Sequence, residues 1–306
     1  MELTDNEILA QYREVFSRYS KDGIIDMDQR LKHKFSFQAH RLENVLRIMK
    51  EFIPPNRQSV YYITFIKEGS GTKSIGLFNF PVAKNTLFVV PTRVIHSTQY
   101  KSDKNSGYLV NFNIDFFLNN AFPKKLISDK KIFKSSLKPY MVVSAKQRKK
   151  IETIFEAILS ENSGTAQQKN EMIAIKILEL LILCDRFFTE AQAFGKENIY
   201  HPVIEKFNEL LEENFAKYRS VQFYANALHV HPTHFNFLMK CHVGLSAKKA
   251  IDNRILLEAK YLLTSSSYSV KEIANLLGFE DTNYFSVFFH KTSRFSPSEY
   301  RAKAIG

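Results

Sequence analysis

Histidine is the residue type that most directly suggests metal chemistry in this chain, because six of the nine histidines follow residue 200. Four of them lie close together in the sequence: His229, His231, His234 and His242. They lack the Cys and Asp partners, and the shared helical face, that a zinc site needs. The sequence therefore predicts no bound metal in this region.

Motifs that carry catalysis are missing from the sequence as well. It contains no Gly-rich phosphate loop, no G-x-S-x-G and no H-E-x-x-H. The pair Gly69 and Gly71 indicates a hairpin turn, since a third Gly and a following helix are missing. Cys184 and Cys241 cannot form a disulfide framework or a cysteine zinc site. We expect neither an enzyme nor a cofactor.

The composition is that of an ordinary soluble protein, at 44% hydrophobic and 24% charged residues. The length of 306 residues suggests two or three domains. The first residues carry acids where a signal peptide needs basic residues, and no uncharged apolar stretch is long enough to cross a membrane. The chain is expected in the cytoplasm, without membrane contact.

Positive charge is concentrated in one part of the chain. The formal net charge is +12, and the segment Lys124–Lys150 holds ten basic residues and one acidic residue. That run is either a phosphate-facing surface or a solvated connection between domains. Charge alone does not establish DNA binding.

Residue patterning predicts a short helix followed by a β domain. The capping box Thr4-x-x-Glu7 begins an amphipathic helix over 1–23. Residues 24–140 form the expected β domain, a small barrel or sandwich, because β-branched and aromatic runs alternate with turn signals. The runs are Ser59–Ile66, Thr72–Phe80, Thr86–Val90 and Gly107–Ile114.

The period of the apolar residues returns to that of a helix after residue 140. Apolar stripes over Ile151–Leu159 and Ile173–Leu183 predict two helices in a linker and dimerisation segment, 141–199. We expect a homodimer through helices within 145–190, with Ile177 and Leu181 at the contact.

Two segments of the last domain, residues 200–306, are alike. Tyr224–Val230 aligns with Ile273–Phe279 at an offset of 49, and Phe235 matches Phe285 at an offset of 50. Each unit has a helix with a small Ala, a tight turn and a second helix, which is the pattern of a helix-turn-helix. Asp281 is the expected N-cap of the second such helix.

Four segments of this domain carry a resemblance to a known family: Arg254–Leu263 (RILLEAKYLL), Ser269–Asp281 (SVKEIANLLGFED), Asn283–Ser286 (NYFS) and Ser296–Arg301 (SPSEYR). Together they closely resemble the AraC/XylS family of bacterial transcription regulators. The resemblance covers roughly residues 203–303. It implies a seven-helix domain that places two recognition helices in successive major grooves of double-stranded DNA.

Site residues follow from the same resemblance, position by position. The implied base-facing residues are Thr233, Asn236, Phe237, Thr282, Asn283 and Val287, with Asn236 and Asn283 suited to adenine. The implied phosphate contacts are Lys240, His290 and Lys291. The chain departs from many members at four places, with Phe237 and Val287 where Arg is common, and His229 and Arg294 at expected glycine positions. Phe237 packing internally is the open alternative to DNA contact.

Residues 25–120 have a looser similarity to cupin-type sensor domains, carried by Gly69–Gly71, Phe88–Pro91 and Arg93–His96. A lone His96 cannot hold a metal ion, so a metal-dependent reaction is not expected. Arg93 and His96 are candidates for contact with a small effector. The alternative, a strand-end His and a solvated Arg, stays open.

The combined expectation is an α+β multidomain chain: a cupin-like β-barrel, a helical linker and dimerisation segment, and a C-terminal all-α double helix-turn-helix domain. Its expected function is sequence-specific DNA binding in transcription, responsive to an effector or partner. The choice between activator and repressor, and contact with RNA polymerase, are left open. The alternatives are an effector-independent regulator whose β domain only dimerises or docks a protein, and a metal-free cupin enzyme with a basic tail.

Overall fold

Two large hydrophobic cores, and a smaller one between the two sheets of the first part, organise the described residues. The computed structural model describes residues 36–49, 52–76, 78–101, 104–120, 122–123, 125–128, 130–133, 140–194 and 201–305. The expected helix over 1–23 and the expected boundary near 199 lie outside these ranges. None of the helices within them combines the length and apolar composition needed to cross a bilayer.

Nine strands build two antiparallel sheets in the first part of the chain. The larger sheet has the order β1-β8-β3-β6-β9 and the smaller has the order β2-β7-β4-β5. The strands β1 to β9 are Phe37–Arg41, Phe52–Asn56, Tyr61–Glu68, Gly71–Ile75, Phe78–Val82, Thr86–Val90, His96–Tyr100, Ser106–Phe112 and Tyr140–Val142.

Helices interrupt and follow these strands. Helix α1 joins β1 to β2, and α4 and α5 form an antiparallel pair against the larger sheet. A short 3-10 helix, Lys131–Phe133, lies between α3 and β9. The helices α1 to α5 are Leu42–Met49, Ile114–Asn119, Lys125–Ser128, Ala145–Ser163 and Lys169–Phe194.

The expected strand Thr72–Phe80 is instead a hairpin of β4 and β5. Gly76 adopts φ 53° at the turn, a left-handed conformation that glycine accepts without steric cost. The alternating pattern continued across the turn, so it could not reveal where the chain reverses. The end of Gly107–Ile114 also differs, because Asn113 caps α2 and Ile114 begins it.

The larger sheet is buried on both faces, since residues along a strand alternate between its two sides. Ile63 and Phe65 of β3 share a core with Phe155 of α4 and with α5. Ile66 of the same strand and Phe80 of β5 belong to a second cluster, between the two sheets. The sheet therefore separates a helix-facing core from a space enclosed by both sheets.

The apolar stripes of α4 and α5 belong to this first core. Ile177 and Leu181 have 0% exposure, and both pack in the cluster that contains the larger sheet. The expectation that these two residues form a dimer contact is wrong, because both side chains are fully enclosed in a core within the chain. A one-dimensional apolar stripe does not distinguish an internal partner from a second chain.

Seven helices form the second core, which contains no described strand. The longest, α9, packs against α8, α10, α11 and α12. The helices α6 to α12 are Pro202–Asn214, Val221–Ala227, Pro232–Val243, Ala247–Ser265, Val270–Leu276, Thr282–Ser293 and Pro297–Ile305. The expected order of a β domain followed by an all-α helix-turn-helix domain is confirmed.

Candidate nucleic-acid interface and ligand cavity

The two repeat units become equivalent helix pairs, α7–α8 and α10–α11. His229 has φ 55° in the first turn and Gly278 has φ 70° at the matching place in the second. Both turns thus need a left-handed residue, although the first is built with a histidine. Asp281 caps α11 by accepting a hydrogen bond from the Asn283 N–H at 2.9 Å, so its expected role as N-cap is confirmed.

One face of α8 and one face of α11 hold the domain together. Phe235 and Phe285 occupy matching positions and have no solvent exposure. Met239 and Phe289 lie one turn further along and are equally buried. Because both helices bury the same positions, both must expose the same positions.

The opposite faces of α8 and α11 lie open to solvent and match at an offset of 50. Phe237 is 61% exposed and Val287 is 64% exposed. Thr233 and Asn283 are exposed in the first turn of each helix. Lys240, His290 and Lys291 are exposed near the other end, where basic side chains suit phosphate. Phe237 does not pack internally.

Two members of this exposed surface were missing from the sequence-based set. His234 and Tyr284 also match at an offset of 50, and Tyr284 is 65% exposed. They lie directly after Thr233 and Asn283, on the same side of each helix. The repeat offset together with the helical period was the sequence signal that could have identified them. We call the side chains of Thr233, His234, Phe237, Lys240, Asn283, Tyr284, Val287, His290 and Lys291 the exposed recognition surface.

Two residues expected to contact bases, Asn236 and Thr282, are only partly exposed and form hydrogen bonds within the domain. The Asn236 carboxamide is engaged at both ends, because its Nδ2 donates to Pro232 O at 3.2 Å and its Oδ1 accepts from the Ala247 N–H at 3.0 Å. Its amide therefore joins α8 to the start of α9, and the expected adenine contact is not supported. Thr282 is half-buried at the first position of α11, where its carbonyl oxygen accepts from Ser286 Oγ.

A cavity lies between the two sheets of the β domain. The space between the lining residues is about 640 Å³, including the part open to solvent. The larger sheet, the smaller sheet and α1 all contribute to its wall. The lining residues are Gln38, Tyr62, Thr64, Leu109 and Asn111 of the larger sheet; Ile53, Asn56, Lys73, His96, Thr98 and Tyr100 of the smaller; Leu42 and Val45 of α1; and Gln58.

The two sequence-derived effector candidates are separated by the fold. His96 lines the cavity, and burial followed by the charge of Lys73 lowers its pKa to about 3, so its ring is neutral at physiological pH. Arg93 is exposed and does not line the cavity. Its backbone adopts φ 64°, and its N–H donates to the Gln58 carbonyl at 2.8 Å. Arg93 therefore supports a wall residue through its backbone.

One segment of the cavity wall also contacts the helical domain. Asn56 and Gln58 line the cavity, whereas Arg57 between them reaches α9. The Arg57 Nη2 donates to Glu258 Oε2 at 2.5 Å, and its guanidinium lies 5.0 Å from the ring centroid of Tyr261. Glu258 also accepts from Arg254 Nη1 at 2.8 Å. The wall and the helical domain thus share a chain of charged contacts.

Metal binding finds no support in the described ranges, since they contain no group of three or more His, Cys, Asp or Glu side chains arranged for an ion. The histidine-rich region instead supplies helix caps. His201 Nδ1 accepts from the Val203 N–H, and His231 Nδ1 accepts from the Thr233 N–H.

Comparison with known proteins agrees with this geometry. A family model described as a helix-turn-helix domain matches residues 224–303. The raffinose operon transcriptional regulatory protein RafR of Pediococcus pentosaceus is 26% identical over 259 residues, which make up 82% of this chain and 87% of RafR. The transcriptional activator RhaS of Salmonella schwarzengrund is 33% identical over 99 residues, or 31% of this chain and 36% of RhaS.

Among solved structures, one of ToxT from Vibrio cholerae is 17% identical with a TM-score of 0.43, and the match covers 89% of this chain and 100% of that one. RafR is named as a transcriptional regulatory protein and RhaS as a transcriptional activator. The chain thus carries a helix-turn-helix domain over residues 224–303 and is similar to DNA-binding transcription regulators of the AraC/XylS family.

Proposed function

We propose that this regulator reads two successive major grooves of one DNA segment with α8 and α11, and that occupancy of the β-domain cavity alters this binding. The single observation that carries the proposal is the matched exposure of the two recognition helices. Large apolar side chains such as Phe237 and Val287 are costly to leave in water without a partner. DNA supplies one, through thymine methyl groups and base edges.

Base reading is assigned to four residues of the exposed recognition surface, Thr233, Phe237, Asn283 and Val287. Asn283 suits adenine, Thr233 suits a thymine methyl or a base edge, and Phe237 and Val287 suit methyl contacts. Lys240, His290 and Lys291 lie where phosphate contact positions the helices. Because no arginine takes part, guanine is not read by a bidentate contact, and we expect an A/T-rich site with a share of shape recognition.

Coupling is assigned to the wall segment Asn56–Gln58. Asn56 Nδ2 donates to His96 O at 3.1 Å, and the Tyr62 hydroxyl donates to Gln58 Oε1. A ligand that displaces either amide moves Arg57, whose guanidinium holds Glu258 of α9. An effector that binds one arrangement of this wall segment more tightly than another would favour that arrangement, and with it one position of the DNA-binding domain. The change in the free energy of this equilibrium equals the difference between the two binding free energies.

Selection of bound sequences from random DNA, followed by footprinting, tests the proposal. We expect an A/T-rich consensus with two protected segments on one DNA face, about one helical turn apart. Phe237→Ala and Val287→Ala should each weaken specific binding by about tenfold, or ~1.4 kcal/mol, with unchanged stability. Leu118→Ala, at an exposed apolar position of α2, is the matched control. A GC-rich consensus, or equal loss in the control, would contradict the assignment.

A homodimer and contact with RNA polymerase remain parts of this proposal, as does action in the cytoplasm, where the DNA is. For the dimer, the exposed apolar side chains Met172 and Ile175 of α5 replace the buried stripe as candidates. Ile175→Asp should lower the sedimentation coefficient at fixed concentration. An unchanged coefficient would place the contact elsewhere.

The rival proposal is a regulator whose β domain serves only to dimerise or dock a protein. The mostly apolar lining of the cavity, with a few polar groups such as Lys73 and His96, favours a ligand over that alternative. DNA binding that ignores every change to the cavity wall would favour the rival.

A further inference from the structure

A buried ammonium group forms part of the cavity wall. Lys73 lies on β4 and is only 6% exposed. Its Nζ donates to Thr98 Oγ1 at 3.1 Å, across the pair of strands that places these two residues opposite one another. The same Nζ lies 5.7 Å from the ring centroid of Phe88. Both partners are neutral.

No carboxylate of the described residues forms an ion pair with Lys73. The cavity lining contains no Asp or Glu. An ammonium group has three donors, and the hydroxyl of Thr98 uses one of them. Buried charges in proteins are normally paired, because leaving water without a counter-charge is expensive. Lys73 is therefore poorly explained as a packing residue alone.

At neutral pH the cavity lining carries one positive charge, that of the Lys73 ammonium group. Burial lowers the pKa of Lys73 to about 8, which leaves the group mostly protonated at neutral pH. The neighbouring His96 ring is neutral there for the reason given above. A single negative charge would balance this site, whereas a phosphate dianion would exceed it and a neutral ligand would leave it uncompensated.

The rest of the wall fits an organic molecule larger than an inorganic ion. Leu42, Val45 and Ile53 provide an apolar side, and Thr64 and Asn111 provide polar groups. Ligand sites combine such apolar walls with a few polar groups that fix orientation.

We propose that the cavity binds a small organic monocarboxylate, with its carboxylate oxygen accepting from Lys73 Nζ and its carbon skeleton lying against Leu42, Val45 and Ile53. This inference rests on the proposed effector role of the cavity and names the chemical class of the effector. The carboxylate restores to Lys73 the counter-charge that the chain does not supply. Lys73 lies on β4, which pairs with β7, the strand of His96. The His96 carbonyl accepts a hydrogen bond from Asn56 of the wall segment Asn56–Gln58.

Thermal unfolding of the full chain with matched probes tests this proposal. The probes are sodium acetate, hexanoate and gluconate, compared with acetamide, hexanamide and glucose in sodium chloride at equal ionic strength and neutral pH. The variants are Lys73→Met and, as control, Lys84→Met, which removes an exposed lysine paired with Glu68. Specific DNA binding of each protein without probe is measured in parallel.

We expect at least one carboxylate to raise the melting temperature of the wild type and of Lys84→Met by about 2 °C or more. The neutral partner of that probe should have no effect, and Lys73→Met should not respond. A response to hexanoate over gluconate identifies an aliphatic acid, and the reverse order identifies a hydroxylated acid.

The proposal is overturned if no carboxylate stabilises the wild type more than chloride, or if Lys73→Met responds as the wild type does. DNA binding separates this failure from failure of the proposed function. A wild-type chain that does not respond to carboxylates but binds specific DNA rejects the ligand class alone, whereas a wild-type chain without specific DNA binding rejects the recognition proposal.

Discussion

Arg57 of the β domain and Glu258 of α9 form an ion pair that joins the two domains, with Nη2 and Oε2 2.5 Å apart. Glu258 is almost fully buried there and shares its carboxylate with Arg254. Arg254 in turn bonds Glu212 of α6 through Nε and Nη2. The contact therefore continues into the core of the DNA-binding domain and does not end at its surface.

A double-mutant cycle between Arg57→Met and Glu258→Gln should reveal this contact in solution. We expect a coupling energy of about 1 kcal/mol, because the Arg57 side chain is still partly in water. Urea unfolding followed in both domains supplies the four free energies. The control cycle combines Glu258→Gln with Arg41→Met, since Arg41 pairs with Glu156 inside the β domain. Additive effects in the first cycle would mean that the domains do not meet through these residues.

Removing the charge of Lys73 should stabilise the chain in the absence of ligand. Lys73→Met keeps most of the side-chain volume, and replacing a buried charge by a well-packed apolar group is neutral or stabilising by about 1–4 kcal/mol. We expect a gain within that range at neutral pH from urea unfolding. Lys84→Met should change the free energy of unfolding by less than about 0.5 kcal/mol. A loss of stability in Lys73→Met would show that its ammonium already has a favourable partner.

The advantage of Lys73→Met should also depend on pH. The pKa of Lys73 is lowered from 10.5 to about 8 in the folded chain, so between these values the unfolded chain binds more protons. Stability attributable to Lys73 therefore rises with pH across this window, and its full burial cost applies below it. The difference between wild type and variant should shrink from pH 8 upward. A difference that stays constant would contradict a lowered pKa.

Two asparagines of the recognition helices should respond in opposite ways to alanine. Asn236→Ala removes the acceptor of the buried Ala247 N–H, so we expect a loss of about 1–3 kcal/mol in the free energy of unfolding. Asn283→Ala removes an exposed side chain, so stability should hold while affinity for the preferred base falls by about 1–3 kcal/mol. Thermal unfolding and DNA titration of both variants check this. Equal loss of DNA affinity at unchanged stability in both would restore Asn236 as a base contact.

The ends of α8 and α11 provide a test of backbone strain. Gly244 and Arg294 occupy the same left-handed position, with φ 77° and φ 70°. A Cβ on Gly244 would meet nothing within 4 Å, so only the backbone conformation opposes a side chain there. We expect Gly244→Ala to cost about 1 kcal/mol and Arg294→Gly to gain a similar amount, as measured by urea unfolding. Destabilisation by Arg294→Gly would indicate that the arginine side chain contributes to stability.

The recognition helices show what local sequence can predict. Asp281, the repeat offset and the apolar positions Phe235 and Phe285 act within one or two helical turns, so their roles follow from spacing alone. Phe237 was open to two interpretations, and its exposure excludes internal packing, while contact with DNA stays a prediction.

The β domain shows where such prediction ends. Lys73 meets Thr98 and Asn56 meets His96 only because strands from different parts of the chain pair in one register. The Gly76 hairpin was missed because the alternating pattern ran through it. The apolar stripe of α5 was wrongly assigned to a dimer contact, because burial within the chain and burial against a second chain leave the same apolar period.

The amino-acid sequence by itself determined the likeness to AraC/XylS regulators, the domain order and the two helix-turn-helix units, since helical periods, caps and turns depend on neighbouring residues. Tertiary structure alone decided which polar groups share the cavity, that Asn236 serves the fold, and that Arg57 reaches Glu258. These depend on strand register and domain packing, which bring together residues up to 201 positions apart.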